Sequence, residues 1–353
     1  MESVYGNIHV RGVVYDVGLN FGGKTLSVNE LDSVRVDYDM NIIKNILRCN
    51  TVRVEGESID RLVLASKIAS SYGLKILFNP WLHEADPAST IQYMGEAAEA
   101  AEKLKKEGAD MIFVAGCEYS LFNLGAIPGS TFDERFQWIT SLGTDPDSAM
   151  QKLTDMSVSL NDILSKINAV VREKFSGKVT YSSGTWEMVD WSVFDIVGID
   201  YYHGKESDDE YVAGVERYRC DKPVFVMEMG CCAYKGAGLL GSEGFAVFQG
   251  IDGNGQPVYR DGQTPERSES EQADYIEKNI RLLEKAGVDG VCVYLFSFPV
   301  YPFSKDGIDL DMFSYALVKS YPSENQSWNS VPSWTPKLAF YRLGTVYSEL
   351  AGD

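Results

Sequence analysis

The chain has 353 residues, 44% of them hydrophobic, and 32 basic residues against 51 acidic ones give a net charge of −19. A field of that sign repels nucleic acid and anionic membranes, so neither is expected as a partner, and it disfavours polyanionic substrates. No apolar run approaches the roughly 18–20 residues of a membrane span. The first residues, MESVYGNIHVRG, lack the basic and apolar regions of a secretory signal. That leaves a cytoplasmic protein or a secreted one whose signal has been removed.

In chain order, the first strand-like run is RGVVYDV (11–17), followed by a helical period over 37–48 with Met40, Ile43 and Leu47 on one face. TVRVE (51–55) comes next, then a helix capped by Ser58 that runs through Leu62, Ala65 and Ile68 and stops at Gly73. The remaining runs are KILFN (75–79), MIFVAGC (111–117), KVTYS (178–182), DIVGIDY (195–201), PVFVME (223–228) and GVCVYLF (290–296). Their continuous apolar character suits strands buried on both faces, as in a parallel sheet. Gly108 and Gly287 repeat the helix–glycine–strand punctuation of Gly73.

Eight such runs alternating with helices predict an α/β fold, a closed (β/α)8 TIM barrel forming a single domain over 1–353. No G-x-G-x-x-G follows the first strand, which removes the main signature of a doubly wound dinucleotide-binding sheet. Long connections are expected after strands four (119–146), seven (229–268) and eight (299–335). The second contains a hairpin pattern, FAVFQGIDGNGQPVYRDG, with Gly-Asn-Gly at its turn. Such loops gather over the C-terminal face of a barrel, where they either wall a cleft or serve assembly.

The six cysteines (Cys49, Cys117, Cys220, Cys231, Cys232, Cys292) show no C-x-x-C spacing, and the three histidines (His9, His83, His203) form no H-x-H or H-E-x-x-H pattern. A reduced core is expected, with neither a metal-dependent mechanism nor a cofactor. The acidic strand ends are more informative. The fourth run ends in Glu118 and the seventh in Glu228, although an unpaired charge at the end of a buried strand costs several kcal/mol. Two carboxyls facing each other across a barrel mouth are what glycoside hydrolysis requires, one as acid and one at the anomeric carbon. Arg53 in the second run would keep a neighbouring carboxylate ionised, or else make a surface ion pair. Asp200 and Tyr202 lie two residues apart and share a face; the phenol would orient Glu228, or else fill the core. Trp81, Trp186, Tyr119 and Phe296 crowd the strand ends and are candidate sugar-stacking rings.

The segments NTVRVEGE, FVAGCEYS, DIVGIDYY, KPVFVMEMG and SWTPKLAFYRL resemble the glycoside hydrolases of clan A, retaining barrel glycosidases with glutamates after strands four and seven. KVTYSSGTW and DIVGIDYY look most like the family 113 and family 5 branches, which contain endo-acting mannanases and glucanases. The resemblance implies Glu118 as acid/base and Glu228 as nucleophile, with Arg53 and Tyr202 beside it. The substrate implied is a β-linked carbohydrate of the mannan, glucan or xylan type, with Trp81, Cys117, Trp186, Asp200 and Phe296 added to the substrate-binding set. Two positions depart from the clan's pattern. Cys117 stands where asparagine usually binds the sugar 2-hydroxyl, and Phe296 where a tryptophan usually ends strand eight. Both favour, as alternative, a non-catalytic carbohydrate-binding barrel. A Schiff-base or phospho-sugar barrel enzyme is disfavoured, because the motif strands end in no lysine and the eighth loop opens SFPVYPF instead of with glycines.

Overall fold

The computed structural model describes residues 8–21, 25–144, 146–321 and 333–352. Its strands are β1 (Val10–Asp16), β2 (Thr51–Gly56), β3 (Lys75–Pro80), β4 (Met111–Cys117), β5 (Lys178–Ser182), β6 (Val197–Asp200), β7 (Val224–Met229), β8 (Phe248–Ile251), β9 (Pro257–Tyr259), β10 (Gly290–Val293), β11 (Val318–Ser320) and β12 (Trp334–Pro336). The helices are α1 (Ser33–Asn45), α2 (Ile59–Ser71), α3 (Pro87–Lys106), α4 (Tyr119–Phe122), α5 (Phe132–Ser141), α6 (Pro146–Lys174), α7 (Asp208–Gly214), α8 (Glu269–Ala286) and α9 (Leu338–Ala351).

Eight strands form one parallel sheet in the order β5-β4-β3-β2-β1-β10-β7-β6. The two ends of that order meet, because Ser183 N donates to Gly198 O at 3.0 Å and Asp200 N to Ser183 O at 2.8 Å. The sheet is therefore a ring, with helices around it: a (β/α)8 barrel in which β10 is the eighth barrel strand. At the closing seam a side chain on Gly198 would collide with the Tyr181 carbonyl, so only glycine permits that approach.

Alternation along each strand divides the core into two layers. Val13, Val52, Val54, Ile76, Phe78, Phe113 and Val226 point outward and pack under the helices. Val10, Val14, Leu77, Ile112, Val114 and Met227 fill the barrel interior. The helix punctuation holds at Ser58, whose hydroxyl accepts from Arg61 N, and at Gly287, which caps α8 at φ 71°. The first helix begins earlier than the 37–48 expected, because Asp32 caps it by accepting from Val34 N and Arg35 N.

The connection after β4 carries α4 and α5, and the one after β7 carries the expected hairpin. In that hairpin Asp252 closes the turn by accepting from Asn254 N and Gln256 N, both at 2.8 Å. Of the third long connection, 299–335, residues 322–332 lie outside the described residues. Its remainder is fastened by Lys337–Asp311 at 3.0 Å and by Arg267 to Asp309 and Asp311 at 2.7 and 2.8 Å. All six cysteines are unpaired. Among the described residues no helix is long and apolar enough to cross a membrane.

Candidate active site

Both strands that end in the paired glutamates break their alternation just before them. Between β4 and β5 the register steps from Val114↔Thr180 to Cys117↔Ser182, three residues against two. Between β6 and β7 it steps from Ile199↔Val226 to Asp200↔Glu228, and between β10 and β7 from Val291↔Val226 to Val293↔Met229. Each step is a bulge, which turns the next side chain by half a period. Cys117 and Glu228, which strict alternation would aim at the helices, face the barrel mouth instead. Gly116 takes up the first bulge at φ 100°.

Glu228 is 6% exposed and fully engaged. Arg53 Nη1 donates to its Oε1 at 3.0 Å, and the Tyr202 hydroxyl donates to its Oε2 at 2.9 Å. Arg53 is itself held rigid, with Nε donating to Asn79 Oδ1 at 2.8 Å, Nη1 also donating to the Met227 carbonyl at 3.0 Å, and Nη2 standing 3.3 Å from Glu55. Asp200 lies 3.8 Å from the same guanidinium and accepts from Ser182 Oγ at 2.6 Å. Burial, followed by the charge of Glu228, pushes Asp200 well above the usual carboxylate range; burial does the same to Glu55, against the pull of Arg53.

Glu118 lives differently. It is the αL residue between β4 and α4, at φ 41° and ψ 48°, and its backbone N donates to Ser182 O at 2.8 Å. The turn is clamped by Tyr119 N donating to the Tyr181 hydroxyl at 2.6 Å and by Ser120 donating to Glu187 through N at 3.0 Å and Oγ at 2.6 Å. Among the described residues no hydrogen-bond donor reaches the Glu118 carboxyl. Desolvation first, then the negative charges of Asp200, Glu228 and Glu187, hold it well above the usual carboxylate range, with Arg53 opposing.

Glu118 and Glu228 line one cleft of about 530 Å³, with Trp81, Trp186 and Tyr202 in its walls. The Trp186 indole N–H donates to Ser120 Oγ at 3.0 Å, which joins that ring to the Glu118 turn. Four of the expected substrate contacts are placed elsewhere. Arg53 is fully buried, and Cys117 and Asp200 are 1% and 3% exposed; all three sit beneath Glu228 and none lines the cleft. The Cys117 thiol lies 3.5 Å from both Glu228 Oε1 and Asp200 Oδ2, so it touches the carboxylates instead of occupying a sugar-facing position. Phe296 is fully buried against Tyr15 and Trp334, with ring centroids 5.9 and 5.4 Å apart. Alternation is interrupted at Tyr294 and Leu295, which both face the cleft and leave Phe296 pointing outward. Tyr119 is likewise buried, its hydroxyl donating to the Leu124 carbonyl at 3.0 Å.

Sequence reasoning missed Asn79, Ser182, Glu187 and Tyr294. Asn79 had a signal, being a polar strand end like Glu118 and Glu228. Glu187 had none, because its partner Ser120 is 67 residues away. Cys117, Asp200 and Glu228 bring ligand-type atoms within 4.8 Å of one another, the one such grouping among the described residues. The Arg53 guanidinium already supplies the positive charge these groups require, and a cation among them would have to share that space.

The ring of strands and the paired carboxyls at the ends of β4 and β7 define a (β/α)8 barrel of the architecture found in clan A glycosidases. The sequence matches no family model and no curated protein. Solved structures do match. The chain is similar to the family 113 β-mannanase of Alicyclobacillus acidocaldarius, with 16% identity, 97% of this chain and 98% of that one covered, and a TM-score of 0.58. It is similar to the family 1 β-glucosidase of Thermotoga maritima at 10% identity, with 98% of each chain covered and a TM-score of 0.54. A β-glucuronidase of Parabacteroides merdae aligns at 12% identity over 96% of this chain and 38% of that one, with a TM-score of 0.54.

Proposed function

We infer that the chain hydrolyses β-glycosidic bonds of neutral sugars with retention, Glu228 acting as nucleophile and Glu118 as acid and then base. The observation that carries this reading is the opposed setting of two carboxyls in one cleft. Glu228 accepts hydrogen bonds from a guanidinium and a phenol, which fix its orientation. Desolvation and neighbouring negative charge raise the Glu118 carboxyl well above the usual carboxylate range, which favours its protonated form. In the first step Glu228 attacks the anomeric carbon, the glycosidic C–O bond breaks, and the Glu118 proton passes to the departing oxygen. In the second, a water gives its proton to Glu118 and its oxygen to the anomeric carbon, and Glu228 leaves as carboxylate. Tyr202 and Arg53 hold Glu228 in line through both steps. This chemistry runs on these side chains alone.

Sugars of the manno, gluco or xylo series are the expected substrates, in keeping with the β-mannanase and β-glucosidase neighbours. Among the described residues no lysine or arginine lines the cleft, which speaks against a uronic acid at the reacting position. The competing reading is a sugar-binding barrel without catalysis. It is favoured by Cys117, which leaves the position beside Glu118 without a sugar-facing amide. Dinitrophenyl β-glucoside, β-mannoside and β-xyloside test both, with product stereochemistry followed by proton NMR and Glu228→Gln as control. Release of β-configured sugar by the wild type alone supports the enzyme. Sugar binding without release from any of the three supports the binding barrel.

A further inference from the structure

The two walls of the cleft differ in chemistry. On the Glu228 side Tyr202, Tyr294, Ser242, Glu243, Ser314 and Tyr315 bring polar groups among the apolar Phe245, Leu295 and Phe313. On the Glu118 side rings predominate, with Asn20, Thr25, Ser27 and Glu84 among them. Phe122 belongs to the α4 turn that Glu118 caps, and its ring meets Trp81 at 4.8 Å and Phe132 at 5.4 Å. Phe136 stacks on Phe132 at 6.1 Å. Phe21, 45% exposed, closes the wall against Trp81 and Phe298 at 6.3 and 6.1 Å.

Two polar side chains of this wall are already engaged, while Trp81 Nε1 and His83 Nε2 are buried without a partner among the described residues. Glu84 is paired with Arg135 at 2.6 Å, and His83 Nδ1 is bonded to the Asn20 carbonyl at 2.8 Å. Desolvation pushes His83 down to about 4, so its ring is uncharged near neutrality. Around Trp81 the rings meet edge to face, at 80° for Trp81–Phe122 and 90° for Phe21–Trp81. They make a cup, where a sugar-stacking site would present a flat face rimmed by donors and acceptors.

We propose that this cup receives the leaving group, and that the substrate is a β-glycoside of an apolar, ring-bearing alcohol in place of a polysaccharide. The inference rests on the retaining-glycosidase reading, which fixes the side: Glu118 protonates the departing oxygen, so the leaving group lies against the elements that carry Glu118. A second sugar there would bury hydroxyls against rings without partners, at a cost for each. An aromatic alcohol gains the area it removes from water and the edge-to-face contacts besides. A volume of about 530 Å³ suits one sugar with such a group.

The test holds leaving-group acidity nearly constant within a series of alcohols. On the sugar that the dinitrophenyl screen shows to be turned over, kcat/KM is compared for the ethyl, 2-phenylethyl and 2-(2-naphthyl)ethyl β-glycosides and for the tetrasaccharide of that sugar. The three alcohols are nearly equal in acidity, so differences report binding in the transition state. We expect about a tenfold rise or more with each step, with the naphthyl compound well above the tetrasaccharide. Phe132→Ser should reduce the naphthyl-to-ethyl ratio at least ~5-fold, the ratio cancelling any loss of folded enzyme. A flat series, or a tetrasaccharide preferred over the naphthyl compound, overturns the proposal and leaves the glycosidase standing. Failure to turn over any dinitrophenyl glycoside sinks both readings together.

Discussion

Glu228 and Glu118 are the same side chain at the ends of two strands of one ring, and their surroundings have almost nothing in common. Three donors converge on Glu228: Arg53 at 3.0 Å, the Tyr202 hydroxyl at 2.9 Å and the Cys117 thiol at 3.5 Å. Around Glu118 the backbone is tied down on both sides, by Ser182, Tyr181 and Glu187, while the carboxyl is left without a donor among the described residues. One site spends its polar groups on the carboxylate, and the other spends them on the turn beneath it. The acid and nucleophile roles proposed above rest on that contrast, and every expectation below tries it.

The largest effect belongs to the engaged carboxylate. Glu228→Ala is expected to lower turnover of a dinitrophenyl glycoside by about 10⁴-fold or more. Azide or formate in the vacated space should restore part of the rate and give an α-configured product, identified by NMR. Substantial residual activity without rescue would transfer the role to Glu55 or Asp200, the other carboxyls against Arg53.

The donor-free carboxyl is expected to matter in proportion to how much the leaving group needs a proton. Glu118→Ala should slow alkyl or sugar leaving groups by about 10²–10⁴-fold. A dinitrophenyl glycoside should keep a fast first step and show a burst. The basic limb of the kcat/KM profile, which lies above the usual carboxylate range because the folded carboxyl does, should vanish in the variant. A uniform loss with an unchanged pH profile would make Glu118 a binding or structural residue.

A smaller effect is expected from Tyr202→Phe, which removes one hydrogen bond to Glu228 Oε2 and keeps the ring. A bond to an ionised group is worth about 1.5–3 kcal/mol, so kcat/KM should fall about 10–10²-fold. The same loss from Trp186→Phe, whose indole bonds Ser120 on the opposite side, would show that general disruption of the cleft explains both.

How far this asymmetry was visible beforehand is instructive. The strand runs at 111–117 and 178–182 match β4 and β5 residue for residue. Arg53 and Tyr202 as partners of Glu228 were legible from residue type and strand position. What alternation could not show were the bulges at Gly116 and Met227, which reverse the facing of the residues after them. The cleft-facing residues of the eighth strand failed for the same reason: Tyr294 and Leu295 interrupt the period and send Phe296 into the core. Cys117 enters the expected substrate-binding set through the clan resemblance, whereas burial puts it against carboxylates. The clamp on the Glu118 turn, from Tyr181 and Glu187, joins segments more than sixty residues apart and leaves no local pattern.

The smallest effect concerns stability, and it should differ in sign between the two glutamates. The folded state holds the Glu118 carboxyl well above its value in the unfolded chain, chiefly by desolvation. Below the unfolded value both states carry the proton and the residue favours neither. As pH rises the unfolded chain ionises first, so stability falls until the folded carboxyl follows. Glu118→Gln removes that titration, and should leave the melting temperature near wild type at pH 4 while raising it about 1–3 °C at pH 8. Glu228→Gln should lower it at pH 8, because Arg53 is fully buried and loses its 3.0 Å partner. The loss should stay below the roughly 3–5 kcal/mol of a broken buried pair, since Glu55 and Asp200 remain beside the guanidinium at 3.3 and 3.8 Å. Calorimetry of the two variants at both pH values decides the matter. If both are destabilised alike at pH 8, Glu118 is held by interactions comparable to those of Glu228, and the division of labour between them loses its physical basis.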